Sequence, residues 1–102
     1  MVQNGKKMSI AALIVAAGRG TRAGGNDPKQ WQMLAGKRMI DHTLNAFKQH
    51  RNIDTILVVL HPEDQNRLTD PTIKTALGGA TRNQSVYNGL RALRAAAPKQ
   101  VL

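Results

Sequence analysis

The chain has 102 residues, is 41% hydrophobic, lacks cysteine and carries only Trp31, Phe47 and Tyr87 as aromatics. That allows one small domain with an aliphatic core, excludes a disulfide framework or thiolate metal site, and fits a reducing compartment, here taken as the cytoplasm. Fifteen Lys and Arg against six Asp and Glu give a formal charge of +9, which suits an anionic partner and equally a solvated surface, or a piece of a longer protein whose acidic half lies elsewhere.

In chain order, residues 1–7 are expected to be a flexible leader. Lys6 and Lys7 precede an apolar run of eight residues, 10–17. That length is at the bottom of the range for a signal peptide and far too short to cross a membrane. A short apolar run bounded by a glycine turn is the pattern of a buried parallel strand, so Ile10–Ala16 is predicted as the first strand. A long loop follows to about Gly36. Residues 39–50 place Ile40, Leu44 and Phe47 at helical spacing, with Asp41 in the first turn. Residues 55–60, TILVVL, form the second strand, ended by His61-Pro62. A short helix is expected at 63–68 and a weaker strand at 72–77, ended by Gly78-Gly79. Residues 82–97 form a second helix with Val86, Leu90, Leu93 and Ala97 on one face, stopped by Pro98. An apolar segment begins at 99–102. Strand, helix, strand, helix, strand implies an α/β fold, a parallel sheet with flanking helices, in which ligands bind where the loops leave the carboxyl ends of the strands.

Two segments lie at those ends. The first, VAAGRGTRAGGNDPKQW at residues 15–31, has Gly18, Gly20, Gly24 and Gly25 with Arg19, Arg22 and Lys29 among and beyond them. Glycine lets backbone N–H groups approach a ligand closely, and the cations suit phosphate. A surface loop with incidental cations would read similarly, but the strand leading into it favours phosphate. There is no P-loop, and the dinucleotide fingerprint begun at Gly18-Arg19-Gly20 lacks its acidic residue downstream. The second, GGATRNQSV at residues 78–86, matches a capping box through Thr81 and Gln84. A helix N-terminus there offers N–H groups to an anion or a base edge, and equally serves only to start a helix. His42, His50 and His61 are expected to be solvated or structural. Asp27, Asp41, Asp54, Glu63, Asp64 and Asp70 form no cluster at metal-ligand spacing. The cations are scattered, with no run of five like charges, which argues against nucleic acid as the partner.

AAGRGTR, then PKQ, AGKRMIDHTLNAF and GGATRNQSV together resemble the 2-C-methyl-D-erythritol 4-phosphate cytidylyltransferase family over residues 9–102. The first loop by itself is similar to sugar and molybdopterin nucleotidyltransferases. The resemblance implies a Rossmann-like nucleotidyltransferase sheet. It makes residues 8–102 the N-terminal part of that domain, truncated inside a strand at Leu102. It implies transfer of CMP from CTP to methylerythritol phosphate, with pyrophosphate released, in non-mevalonate isoprenoid biosynthesis. Residues Ala16, Ala17, Gly18, Arg19 and Gly20 would wrap the triphosphate. Arg22 and Lys29 would stabilise the transition state, and Gly79 and Ser85 would lie near cytosine and ribose. Mg²⁺ is expected, with its protein ligand beyond Leu102, and so are a homo-oligomer and no membrane partner. Ala80 stands where the family often has an acidic residue, and alanine at this position resembles members fused to the cyclodiphosphate synthase that acts later in the pathway. Another nucleotidyltransferase and a basic nucleic-acid-binding module remain the alternatives.

Overall fold

A computed structural model describes residues 10–18, 28–94 and 100–101, the last two as backbone. Arg19, Gly20, Arg22, Ala97, Pro98 and the expected leader lie outside the described residues. The elements in order are β1 (Ile10–Ala16), a 3-10 turn (Lys29–Trp31), β2 (Met33–Leu34), β3 (Lys37–Arg38), α1 (Met39–Lys48), β4 (Ile53–Leu60), a second 3-10 turn (Pro62–Asp64), β5 (Lys74–Leu77), α2 (Arg82–Arg94) and β6 (Gln100–Val101). The main sheet is parallel in the order β5-β4-β1-β6. The chain steps outward from β1 to β4 and β5. It then returns to the far side of β1, where Ile10 pairs with Gln100 and Ala11 with Val101. That reversal is the topological switch of a doubly wound sheet, the α/β class the alternating pattern implies.

The two central strands are apolar almost throughout because both of their faces are covered. Residues of one parity, Ala12 and Ala16 of β1 with Ile56, Val58 and Leu60 of β4, pack with Ile40 and Leu44 of α1. Residues of the other parity, Ala11 with Leu57 and Val59, pack with Leu93 of α2. Short alanines on β1 alternate with larger residues on β4 at paired positions, such as Ala12 with Ile56 and Ala16 with Leu60, so the layers fill without clash.

The face of α2 differs from the one periodicity suggests. Ser85, Gly89 and Leu93 are buried, whereas Leu90 is 45% exposed. Gly89 is the reason: a Cβ built there would lie 2.5 Å from Leu13 Cδ1 and 2.8 Å from Val59 Cγ2. The helix backbone therefore rests directly on the sheet, and Leu90 is turned away.

Several expected bounds also shift. The first helix ends at Lys48, and β4 begins two residues early at Ile53. The helix expected at 63–68 is only the 3-10 turn Pro62–Asp64, and β5 starts at Lys74. The long loop contains a 3-10 turn and a hairpin, in which Met33 pairs with Arg38 and Leu34 with Lys37 around Ala35 and Gly36, both left-handed. Two positive-φ residues form the tight turn that matches strand twist. The core is not purely aliphatic either: Trp31 is 3% exposed and belongs to the α1-side cluster.

Candidate active site

A cleft of about 520 Å³ opens at the carboxyl ends of β1, β4 and β5. Val15, Ala16, Ala17 and Gly18 form one wall, Gly79, Ala80, Thr81, Arg82 and Ser85 the other, and His61 and Gln30 also border it. The described start of the first segment and the second segment thus face each other across one hollow, because parallel strands release their following loops at the same end.

Side chains reaching from elsewhere fix the first wall. Gln30 Nε2 donates to Ala16 O at 3.0 Å and approaches Gly18 O at 3.4 Å. Backbone fit fixes the second. Gly78 N–H donates to Leu60 O at 2.7 Å, and Gly79 N–H donates to the buried Ser85 Oγ at 3.1 Å. A Cβ at Gly78 would meet Ala17 Cβ at 2.5 Å and Ser85 Oγ at 2.8 Å, so this glycine lets the walls approach. Thr81 caps α2, its Oγ1 accepting from Gln84 N–H at 3.1 Å. The reciprocal half of the expected capping box does not form. The Gln84 amide instead donates to Asn88 Oδ1 at 3.0 Å, and Asn88 Nδ2 donates to Leu77 O at 3.1 Å, tying the helix to the end of β5.

Lys29 is placed beside this cleft. It lines an adjoining, mostly apolar hollow of about 210 Å³ with Ile14, Met39, Ile40 and Thr43, and Val15, Ala16 and Gln30 border both spaces. Of the expected site residues, Ala16, Ala17, Gly18, Gly79 and Ser85 are brought together, with Lys29 in the adjoining hollow; Arg19, Gly20 and Arg22 lie outside the described residues. The turn carrying Lys29 ends in Trp31, whose Nε1–H donates to Asp64 Oδ2 at 3.0 Å.

Sequence reasoning missed Gln30, His61 and Arg82 as cleft residues. Gln30 stood within the quoted PKQ element and His61 at a marked strand end, so position carried a signal that residue type did not. His61 Nδ1 accepts from Glu63 N–H at 3.1 Å and so caps the second 3-10 turn. Among the described residues, no group of three or more His, Asp or Glu could hold a metal ion. Nor is any described helix long and apolar enough to cross a membrane.

The family model described as "IspD: 2-C-methyl-D-erythritol 4-phosphate cytidylyltransferase" matches residues 10–102. Among curated relatives, the 2-C-methyl-D-erythritol 4-phosphate cytidylyltransferase of Cereibacter sphaeroides is 46% identical over 101 residues, covering 93% of this chain and 45% of the relative. The bifunctional enzyme IspD/IspF of Ruegeria pomeroyi is 54% identical over 90 residues, covering 84% of this chain and 23% of the relative. The chain thus spans less than half the length of either. Among solved structures, the 4-diphosphocytidyl-2C-methyl-D-erythritol synthase of Anaerococcus prevotii is similar with a TM-score of 0.66 and 28% identity, covering 85% of this chain and 38% of that one.

Proposed function

Since the chain belongs to the 2-C-methyl-D-erythritol 4-phosphate cytidylyltransferase family, we propose that it supplies the nucleotide-binding half of an enzyme that transfers CMP from CTP to methylerythritol phosphate. The observation that carries this reading is the cleft itself, in which the end of β1 and the glycine-led start of α2 face each other within reach of one ligand. The base and ribose lie against Gly79 and Ser85. The triphosphate runs along Ala16, Ala17, Gly18, Arg19 and Gly20. Phosphoryl transfer asks the protein to position groups and offset charge more than to do covalent chemistry. A phosphate oxygen of the acceptor attacks the α-phosphorus, and the bond to the bridging oxygen breaks as pyrophosphate leaves. Lys29 and Arg22 stabilise the charge on the α-phosphate oxygens as this happens. CTP-bound Mg²⁺, with its protein ligand outside the described residues, a cytoplasmic location and a homo-oligomer belong to the same proposal.

The test is kinetic and uses the whole protein. Loss of a contact made in the transition state lowers kcat and kcat/KM together, whereas loss of uniform binding raises KM. Lys29→Ala and Arg22→Ala are each expected to lower kcat about a hundredfold or more, with KM for CTP changed far less. Arg19→Ala is expected to act mainly on KM. Lys29→Arg keeps the charge but alters reach, and rescues in part. Folded alanine variants with near-wild-type kcat would leave the loop a nucleotide cradle only. Equal turnover of CTP, UTP, GTP and ATP would reject the cytidylyl assignment.

A further inference from the structure

We propose that Asp64 and Trp31 form a positioning pair that sets Lys29 against the reacting phosphate, an inference that rests on the catalytic reading of Lys29. Asp64 is a carboxylate with 1% of its surface exposed, on the 3-10 turn that stands where a short helix is expected. Burying a carboxylate is costly unless it is paired, and a well-packed apolar residue is often as stable or more so. Stability therefore gives a weak account of an acid here. Direction gives a better one, because a hydrogen bond fixes the orientation of its partner where apolar contact does not.

The partners of Asp64 show what is oriented. Its Oδ2 accepts from Trp31 Nε1–H at 3.0 Å, and its Oδ1 faces Arg67 Nε at 3.1 Å. Its backbone N–H donates to His61 O at 2.8 Å, and Arg67 N–H donates to Asp64 O at 2.8 Å. Asp64 is thus built onto the turn whose leading residue, His61, borders the cleft. At the other end of the bond, Trp31 closes the single 3-10 turn that Lys29 opens. Trp31 N–H donates to Pro28 O at 3.0 Å, and Gln32 N–H to Lys29 O at 3.1 Å. The Arg38 and Arg67 guanidinium groups lie 5.3 and 5.0 Å from the centre of the indole six- and five-membered ring system. Gln30, between Lys29 and Trp31, is strapped to Ala16 and Gly18. The turn is held to β1 at its middle residue and to the exit of β4 at its last, which leaves little freedom for the backbone of Lys29.

A misplacement of about 1 Å at a reacting centre can cost on the order of a hundredfold in rate. Trp31→Phe keeps most of the ring and deletes the N–H donor. Asp64→Asn keeps the shape and removes the charge. In the whole protein each is expected to lower kcat about tenfold, inside that limit, with KM for CTP within about twofold. The same changes are then made in a Lys29→Ala background. If the pair acts through Lys29, neither change lowers kcat further there, because the effects of coupled residues do not add. A merely structural role predicts the same fractional loss in both backgrounds, and that result overturns the proposal. So does unchanged kcat in folded single variants. If Trp31→Phe does not fold, Asp64→Asn carries the same cycle; if neither folds, the pair holds the fold and the proposal fails. A Lys29→Ala protein with normal kcat rejects the catalytic reading itself, and the pair then has nothing to act through.

Discussion

The wall of the cleft that follows β1 is tied by side chains reaching from the turn at Lys29–Trp31, whereas the wall between β5 and α2, besides its own short-range bonds, depends on a close approach that only a glycine at position 78 allows. In the first, Gln30 grips two carbonyl groups, and Trp31 anchors its turn to Asp64. In the second, Gly78 lies so close to Ala17 and Ser85 that no Cβ fits, and its N–H continues the bonding of Leu60. A strap can be lost one hydrogen bond at a time. A steric fit fails at once, because short side chains with no flexible end cannot move aside. The two walls should therefore differ in how they tolerate change, although both serve the same opening.

The largest expected effect is on the fitted wall. Gly78→Val must displace Ala17 or Ser85, and overpacking of this kind costs about 1–3 kcal/mol or more. That lowers Tm, seen in thermal melts of the whole protein together with loss of nucleotide binding in titrations. A wild-type melting curve would mean that the walls are further apart than described. On the strapped wall, Gln30→Ala deletes the donor to Ala16 O at a cost of about 1 kcal/mol. It should raise KM for CTP while the protein still folds. A Tm loss as large as that of Gly78→Val would erase the distinction between the walls.

The smallest expected effect lies behind the strapped wall, where Arg38 sits over the Trp31 ring and donates to Asp41 Oδ2 at 2.8 Å and Oδ1 at 3.0 Å. Its hydrogen bonds and charge hold the Asp41 carboxyl below its usual 3.8, against a smaller opposing effect of burial. A carboxyl lowered in this way adds stability above its unfolded value and loses it as pH falls through the folded one. Asp41→Asn should therefore cost about 0.2–1 kcal/mol at neutral pH, as exposed ion pairs do, with the difference from wild type shrinking below pH 3.8. Acid melts in which the gap widens as pH falls would reverse the sign.

How much of this could be seen in the sequence depended on whether a role leaves a pattern in residue type. The strands β1 and β4 were legible because burial on both faces demands unbroken apolar runs. The pairing of the two loops followed from strand direction alone. The buried face of α2 was not legible, because Gly89 contributes by having no side chain and hydropathy points to Leu90 instead. The hairpin β2–β3 has only two residues per strand, too short for any period to show. Asp64 was hidden for the opposite reason: a carboxylate reads as surface, and its partner Trp31 arrives from a position 33 residues away in sequence. Gln30 and His61 were visible as punctuation but not as cleft residues, since their role comes from where three strands end together.

The pairing of β1 with β6 joins segments roughly 90 residues apart in sequence. A ribosome adds about 5–20 residues per second, so the outer edge of β1 waits roughly 5–20 s for its partner after it has been made. Its other edge is covered sooner, once β4 emerges. During that interval a short, strongly apolar strand presents unpaired N–H and C=O groups, the template on which chains join edge to edge. Aggregation of nascent chains should consequently depend on translation speed between residues 60 and 100, a sensitivity set by strand order and not by the stability of the finished sheet.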